Sequence, residues 1–580
     1  MRHFKITVII FLIPLAVHSQ LRFNIYTLAR IEDGPSSKNM PMMKLPTSVF
    51  DSMAGVKECS KQLLVLYEKG YLAASFDSVY IEQGKFNAGI YYGDQYKWAA
   101  LNSSISKTTL NDAGIRLPLE QRKPVSASKI SSIIKRLLKW YNNNGYPFAV
   151  VKLQHLVFDK GHLSGELIAE KGQEIGFDTL IIKGNSKLSP VYLSSYLGLK
   201  KNVLYNENRV NKISTRLREL PFINEIKPSE LEFSESKARA IIYIDNKKAS
   251  QFNGIIGVLP DNTEKGKVNI TGDVRLRLLS AFGHAELFDV NWSNPLPKSQ
   301  DLKVKLSYPF IFDTQLGLDA DISIFKKDTT FLEFNRELAI QYFFIGNNYF
   351  KVFAGRKSSN LISVTGYANI ITLPPFADVT VNTYGIGWKY EHVDYKLNPR
   401  RGFSIEFQAG AGNKVITRNS KINEQLYANL DLKTTNYNAK GNVDIYIPLS
   451  GRGVLNFGAN GAILFSPVIF ENELYRIGGL KTLRGFDELS INASQFMLGK
   501  MELRYILEQN SYLVLFTNSA YYENRSRTNF IHDTPIGFGA GMTFETNLGI
   551  FSFNYALGKQ FNNPFLLRSG KIHFGLVNYF

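Results

Sequence analysis

Apolar and polar residues follow one rhythm up to about residue 248 and another beyond it. In the first part, helical spacing alternates with short period-two runs. Cys59 to Lys69 carries apolar residues at helical intervals and stops at Gly70, and the stretch from Ala73 to Gly93 then reads as two strands. Ser128 to Asn142 predicts a second helix, starting after Ser126 and stopping near Gly145, followed by two strands around a turn at Lys160-Gly161. A third round predicts a strand at Leu180 to Lys183, a turn at Gly184-Asn185, helices at Pro190 to Leu197 and Asn206 to Leu220, and a strand pair over Ser229 to Asp245. The pattern predicts three small β-α-α-β-β modules, at 44–96, 97–174 and 175–247, each about 70 residues and able to build only a modest core. Residues 20–43 show no periodicity and are expected to be a flexible lead.

From residue 248 to 580 alternation takes over. Lys303 to Tyr308, Leu316 to Ile324, Phe403 to Phe407, Val443 to Ile447 and Ile550 to Tyr555 alternate apolar with polar, and the polar parity often carries full charges. In a transmembrane barrel one parity faces lipid and the other a polar lumen. The run has no helical interlude, which favours a membrane barrel over a soluble sandwich. Sixteen strands are expected, with Ile422 to Asn436 the doubtful one. The predicted fold class is therefore α+β modules followed by an antiparallel transmembrane β-barrel.

Composition adds to this picture. The chain has 41 Phe and 30 Tyr but 4 Trp, an aromatic content suited to strands and interfacial girdles. Residues 1–19 read as a signal peptide: Arg2 and Lys5 precede an apolar stretch from Ile6 to Val17, too short to span a bilayer, with a cut expected before Gln20. The single cysteine, Cys59, excludes an intramolecular disulfide and any multi-thiolate metal site. Net charge is +18, and most of the excess lies in residues 1–248. Export removes nucleic acid as a partner, which leaves a solvated basic surface or anionic lipid. No nucleophile elbow, zinc-protease helix or P-loop occurs, so neither an enzyme nor a metal or nucleotide cofactor is expected. Gly537, Gly539 and Gly541 read as barrel bends.

Three features carry a family resemblance. Arg476 to Phe486, RIGGLKTLRGF, lies in a long loop between strand runs, roughly Ser466 to Ser494. Asp394 to Gly402, DYKLNPRRG, leads into a strand, and residues 537–558 are followed by a last strand, KIHFGLVNYF, ending on Phe580. Together with the repeats these resemble the outer-membrane β-barrel assembly family, BamA- and TamA-like, with POTRA modules and a surface-antigen-type barrel, related also to two-partner secretion transporters. The resemblance covers about residues 44–580.

It implies that Leu483, Arg484, Gly485 and Phe486 anchor a loop folded into the lumen. An arginine fork can hold carboxylates bidentately, glycine permits close approach, and phenylalanine supplies packing area. Glu502 and Glu545 are the candidate carboxylates. The sequence departs from the family at Asn518 and Asn554, where acids are usual, so the anchor rests on fewer charges. Gly570 and Gly575 are expected to weaken the closing strand at a seam between the first and last strands, and Phe580 resembles a terminal insertion signal. The implied function is an assembly factor of the cell outer membrane, its arm in the periplasm, that inserts or translocates unfolded outer-membrane or secreted polypeptides in contact with outer-membrane lipid. Accessory periplasmic proteins on the arm are left open. A two-partner-secretion-type transporter is the alternative, with a passive porin disfavoured by the arm.

Overall fold

The structure is a computed structural model. It describes residues 21–27, 48–49, 51–83, 85–117, 123–260, 268–294, 298–364, 367, 370–449, 451–480, 482–546, 549–561, 563–565 and 570–579. The predicted signal peptide and Phe580 lie outside the described residues. The chain divides into two compact units, the first holding residues 1–175 with 204–207, the second holding 176–203 with 208–580.

The first unit contains two α/β modules. One expectation is corrected here: the lead at 20–43 is not wholly irregular, because Leu21–Thr27 forms a strand parallel to Lys85–Tyr91. Its run, Leu-Arg-Phe-Asn-Ile-Tyr-Thr, alternates, but one short run without turn signals gave no periodicity to read. The helix Ser52–Glu68 starts at an Asp51 cap, whose side chain accepts the Ala54 N–H at 2.7 Å, and buries Cys59 and Leu66 against a sheet carrying Phe86, Ala88 and Ile90. In the second module the amphipathic helix Ala127–Asn143, capped by Ser126, lays Ile133, Leu137 and Tyr141 on Trp98, Leu163 and Leu167. Lys160 and Gly161 both take positive φ, as a tight hairpin requires.

The second unit opens with a third module. Its predicted second helix is split into Glu207–Asn211 and Ile213–Arg218. In all three modules the last strand lies between the first and the middle strand, parallel to the first and antiparallel to the middle one.

The same unit closes the barrel. Seventeen strand segments form one closed order, but Phe530–Asp533 and Ile536–Thr546 both pair with Tyr512–Arg525 and together make one interrupted strand. Among the described residues sixteen strands therefore form the wall, all antiparallel, and an even number brings the last strand end back to the side of the arm. The doubtful stretch is a loop with one 3-10 turn at Glu424–Tyr427, and the strand begins at Lys433. Alternation sorts the wall: Leu338, Ile340 and Tyr342 point outward, while Ala339 and Gln341 are buried inside. An outward arc of rings, Phe344, Phe350, Trp388, Tyr390 and Phe403, runs across neighbouring strands near the arm-side end, the place of an interfacial girdle. Among the described residues no helix is long and apolar enough to cross a membrane.

Candidate functional site

The long loop between strands Gly453–Phe465 and Gln495–Ile506 turns back into the barrel. Three glycines at positive φ, Gly478, Gly479 and Gly485, let it fold sharply around a short hairpin, Tyr475–Ile477 with Ile491–Ala493. Its apolar side chains Ile477, Leu483, Phe486 and Ile491 join Leu498 and Tyr522 of the wall in a small core.

Arg484 sits at the centre. It donates from Nε to Asn518 Oδ1 at 2.9 Å and from its terminal nitrogen to Glu502 Oε1 at 2.7 Å, and it lies 3.6 Å over the Phe516 ring. Glu502 is held from its other oxygen by Arg504, at 2.9 and 2.5 Å. Glu502 and Arg504 face inward because Met501, Leu503 and Tyr505 take the outward parity of the same strand. Of the two predicted carboxylates, Glu502 meets Arg484. Glu545 does not: it accepts from Asn510 Nδ2 at 3.0 Å, at the arm-side end of its strand, too far along the wall. Asn518, where the resemblance implies an acid, supplies an acceptor without the charge. Asn554 donates to Ser552 Oγ at 3.1 Å instead.

The second sequence motif connects to the first through Arg504. Asp394 accepts the N–H groups of Tyr395, Arg400 and Arg401, closing the turn before the strand, and Gly402 takes φ +114° where a Cβ would stand 2.0 Å from the His392 carbonyl. Within that turn Asn398 Oδ1 accepts from Arg504 at 3.3 Å. Two motifs some eighty residues apart in the chain thus share one buried network, Asn398–Arg504–Glu502–Arg484.

Sequence reasoning missed the seat of the loop. Gly537 and Gly558 are partners on adjacent strands. A Cβ on Gly537 would lie 2.1 Å from the Arg484 carbonyl oxygen, and one on Gly558 would lie 2.4 Å from that of Gly485. These glycines are where loop backbone rests on wall backbone, a second role beside the predicted bend. Also missed were the outer tethers. Arg476 reaches Glu333 at 3.1 Å across the lumen and stacks 4.1 Å over Phe325. Lys414, fully buried, binds Glu473 at 2.6 Å and the Val468 carbonyl at 2.5 Å. Asn472 holds Ser359 Oγ and the Ala377 carbonyl, each at 2.8 Å. The residue types were visible in the sequence, but not their reach.

The seam is the other feature. The first strand, Gln251–Pro260, makes ten residue pairs with its neighbour Val268–Leu279. With the last strand, Lys571–Tyr579, it makes two: Gln251 with Tyr579 and Phe252 with Asn578. One side-chain contact adds to them, Asn578 N–H to Asn253 Oδ1 at 3.3 Å. The last strand runs beside Gly549–Lys559 in unbroken register through Gly575. Gly570 precedes the strand, where a Cβ would lie 2.3 Å from the Tyr555 hydroxyl. The pairing described between the first strand and the last is confined to those two positions.

A closed antiparallel wall with an apolar outside, a charged inside, its own loop tethered across the lumen and a short closing ladder defines a modular membrane barrel. An Omp85 superfamily domain is matched over residues 282–580, just over half of the chain, and the chain belongs to that superfamily, whose barrels lie in the outer membrane. Among solved structures it resembles CdiB from Escherichia coli, at 12% identity over 90% of this chain and 96% of that one with a TM-score of 0.52. CdiB from Acinetobacter baumannii matches at 12% identity over 90% and 97% with a TM-score of 0.51. At such identities the likeness concerns the fold. BamA from Haemophilus ducreyi lacking POTRA domains 1-3 aligns at 15% identity over 84% and 100%, with a TM-score of 0.41. No curated protein matches the chain.

Proposed function

We propose that this protein is an outer-membrane insertase, with its arm in the periplasm, that admits unfolded barrel polypeptides at the seam. The observation that carries the reading is the two-pair closing ladder. Among the described residues, Asn253 to Pro260 have no backbone pairing to the last strand, which reaches Asn253 only through its side chain. In an antiparallel ladder every second residue turns both its N–H and its C=O to one neighbour, so about four residues on this edge offer unpaired groups. Within a bilayer such groups cost several kcal/mol each when unsatisfied, which disfavours an open edge and favours any strand that pairs with it. An incoming polypeptide strand can supply that pairing. The arm would deliver it, by adding substrate strands to the exposed edges of its module sheets. The free energy comes from folding of the substrate, and no nucleotide or metal enters the scheme. Tethering of the inward loop to opposite walls supports the same choice, since export through the lumen would first have to break Lys414–Glu473, Arg476–Glu333 and Arg484–Glu502.

Phe252→Cys combined with Asn578→Cys places thiols on directly opposed residues, within reach of a disulfide. Oxidation should abolish insertion of an outer-membrane protein into liposomes, and reduction should restore it. A secretion-type pore, the alternative, would continue to export with the seam locked, and an oxidised, verified crosslink that leaves insertion untouched overturns the proposal.

A further inference from the structure

The two most exposed phenylalanines among the described residues stand on the first two arm-side turns of the barrel. Phe282, 83% exposed, lies in the turn between strands Val268–Leu279 and Leu287–Asn294. Phe312, 93% exposed, lies in the turn between Gln300–Tyr308 and Leu316–Lys327. Neither turn is relaxed. Ser280 and Ala285 take positive φ in the first, and Phe310, Phe312 and Asp313 in the second, a conformation that non-glycine residues hold only when their surroundings impose it.

Glu286 closes the first turn from within, accepting the Phe282 and His284 N–H groups at 2.5 and 2.9 Å, and the third module grips both turns. Ser189 N–H donates to the Gly283 carbonyl at 2.7 Å, and Gly283 lies so near Lys187 that a Cβ would stand 2.2 Å from its carbonyl oxygen. Lys200 Nζ donates to the Asp313 carbonyl at 2.6 Å, Ser195 Oγ to Asp313 Oδ1 at 3.3 Å, and Tyr192 packs edge-on against Phe310. The same grip that buries Phe310 turns Phe312 outward into the open.

The occupant follows from what adjoins these rings. Leu306, Tyr308, Leu316 and Leu318 on the flanking strands face outward as part of the lipid-facing wall. Phe312 is four residues from both Tyr308 and Leu316, so at most about 13 Å of chain separates it from that wall. His284 stacks on Tyr308 at 5.7 Å and ties the first turn to the same face. Lys187 and Lys201, both exposed, stand on the gripping module beside the turns. Aromatic rings with neighbouring lysines at the edge of an apolar wall match the boundary between acyl chains and anionic headgroups.

We propose that these two turns and the base of the third module form a membrane foot. Phe282 and Phe312 insert into the leaflet on the arm side, and Lys187 and Lys201 rest on its lipid phosphates. The foot is built on the second to fifth strands, beside the seam, so it disturbs the leaflet next to the strands that must part. It depends on barrel insertion in the membrane and is independent of the choice between insertase and pore.

The test uses the full chain in phosphatidylethanolamine–phosphatidylglycerol vesicles, with Cys59→Ser as background and a nitroxide on Phe282→Cys or Phe312→Cys. Accessibility to oxygen should exceed accessibility to a water-soluble nickel chelate severalfold, as for Leu318→Cys on the lipid-facing wall. Glu235→Cys, on an exposed turn of the third module, should show the reverse order. Nickel accessibility like that of Glu235→Cys, or protection from both reagents, overturns the foot. Phe312→Trp, in a chain whose Trp98, Trp140, Trp292 and Trp388 are replaced by Phe, keeps an aromatic in place and gives the same decision by brominated-lipid quenching: loss of fluorescence expected, none if the ring stands in water or on protein. Replacing phosphatidylglycerol by phosphatidylcholine should raise nickel access at both sites, and unchanged values remove the lysines from the proposal.

Discussion

Arg484→Ala removes both donors that hold the inward loop at its centre. The structure sets the size of the effect. One lost bond is charge-assisted and buried, to Glu502 at 2.7 Å, and such bonds contribute about 1.5–3 kcal/mol. The ring contact with Phe516 at 3.6 Å adds roughly 0.5–2 kcal/mol. Asn518 Oδ1 loses its donor as well. Against this, Glu502 is not stranded, because Arg504 keeps its second oxygen. The full ~3–5 kcal/mol for breaking a buried pair therefore does not apply, and the low end, about 3 kcal/mol, is expected. At ~1.4 kcal/mol per tenfold, the loop should open more than about 100-fold more often. Limited proteolysis of the folded barrel in detergent, scored by cleavage within 478–490, measures this directly. Arg452→Ala, on an exposed turn, is the control and should leave cleavage unchanged. Arg484→Lys should recover little, because an ammonium cannot hold Asn518 and Glu502 in a fork. Equal cleavage of Arg484→Ala and Arg452→Ala would refute the anchor.

Three further outcomes are expected. Gly537→Ala or Gly558→Ala should displace the loop and raise the same cleavage, whereas Gly499→Ala, with its nearest neighbour 3.9 Å away, should not; tolerance of all three would remove the glycine seat. Burial pushes the Cys59 thiol up, with the Glu58 carboxylate adding to it, so maleimide at mildly alkaline pH should label the folded chain slowly and the urea-unfolded chain fast; rapid native labelling would contradict the packing of the first module. Glu68 is raised by burial but drawn below its ordinary value on balance by the hydroxyls of Ser126 and Ser128 and the Ser128 N–H. Its contribution to docking of the first module on the second should be present above the ordinary glutamate pKa and be lost as pH falls through the lowered one, so hydrogen-exchange protection of the Ser128 N–H should decline with acid in the native chain and be low and pH-independent in Glu68→Gln.

Much of the architecture was legible because it is periodic. Three returns of helix and strand pair, then alternation to the end, specify modules and barrel through local geometry alone, and the parity of Met501, Leu503 and Tyr505 placed Glu502 inside the wall. The strand Leu21–Thr27 escaped because its pairing partner, Lys85–Tyr91, is some sixty residues away. The loop motif was readable as a short string, and so was the turn from Asp394 to Gly402, but not their junction at Arg504. That junction depends on which strands become neighbours when the wall curves shut. The same closure decided that Glu545 ends up at the arm-side rim, that Gly537 and Gly558 carry the loop backbone, and that Lys414 finds Glu473. It also decided the seam. Each terminal strand is well formed against its own hairpin partner, and only the curvature of the whole sheet determines how many residues of the first and the last come within hydrogen-bonding distance. Periodicity belongs to neighbours along the chain and can be read from it; closure belongs to residues brought together by sixteen strands at once, and only the tertiary structure fixes it.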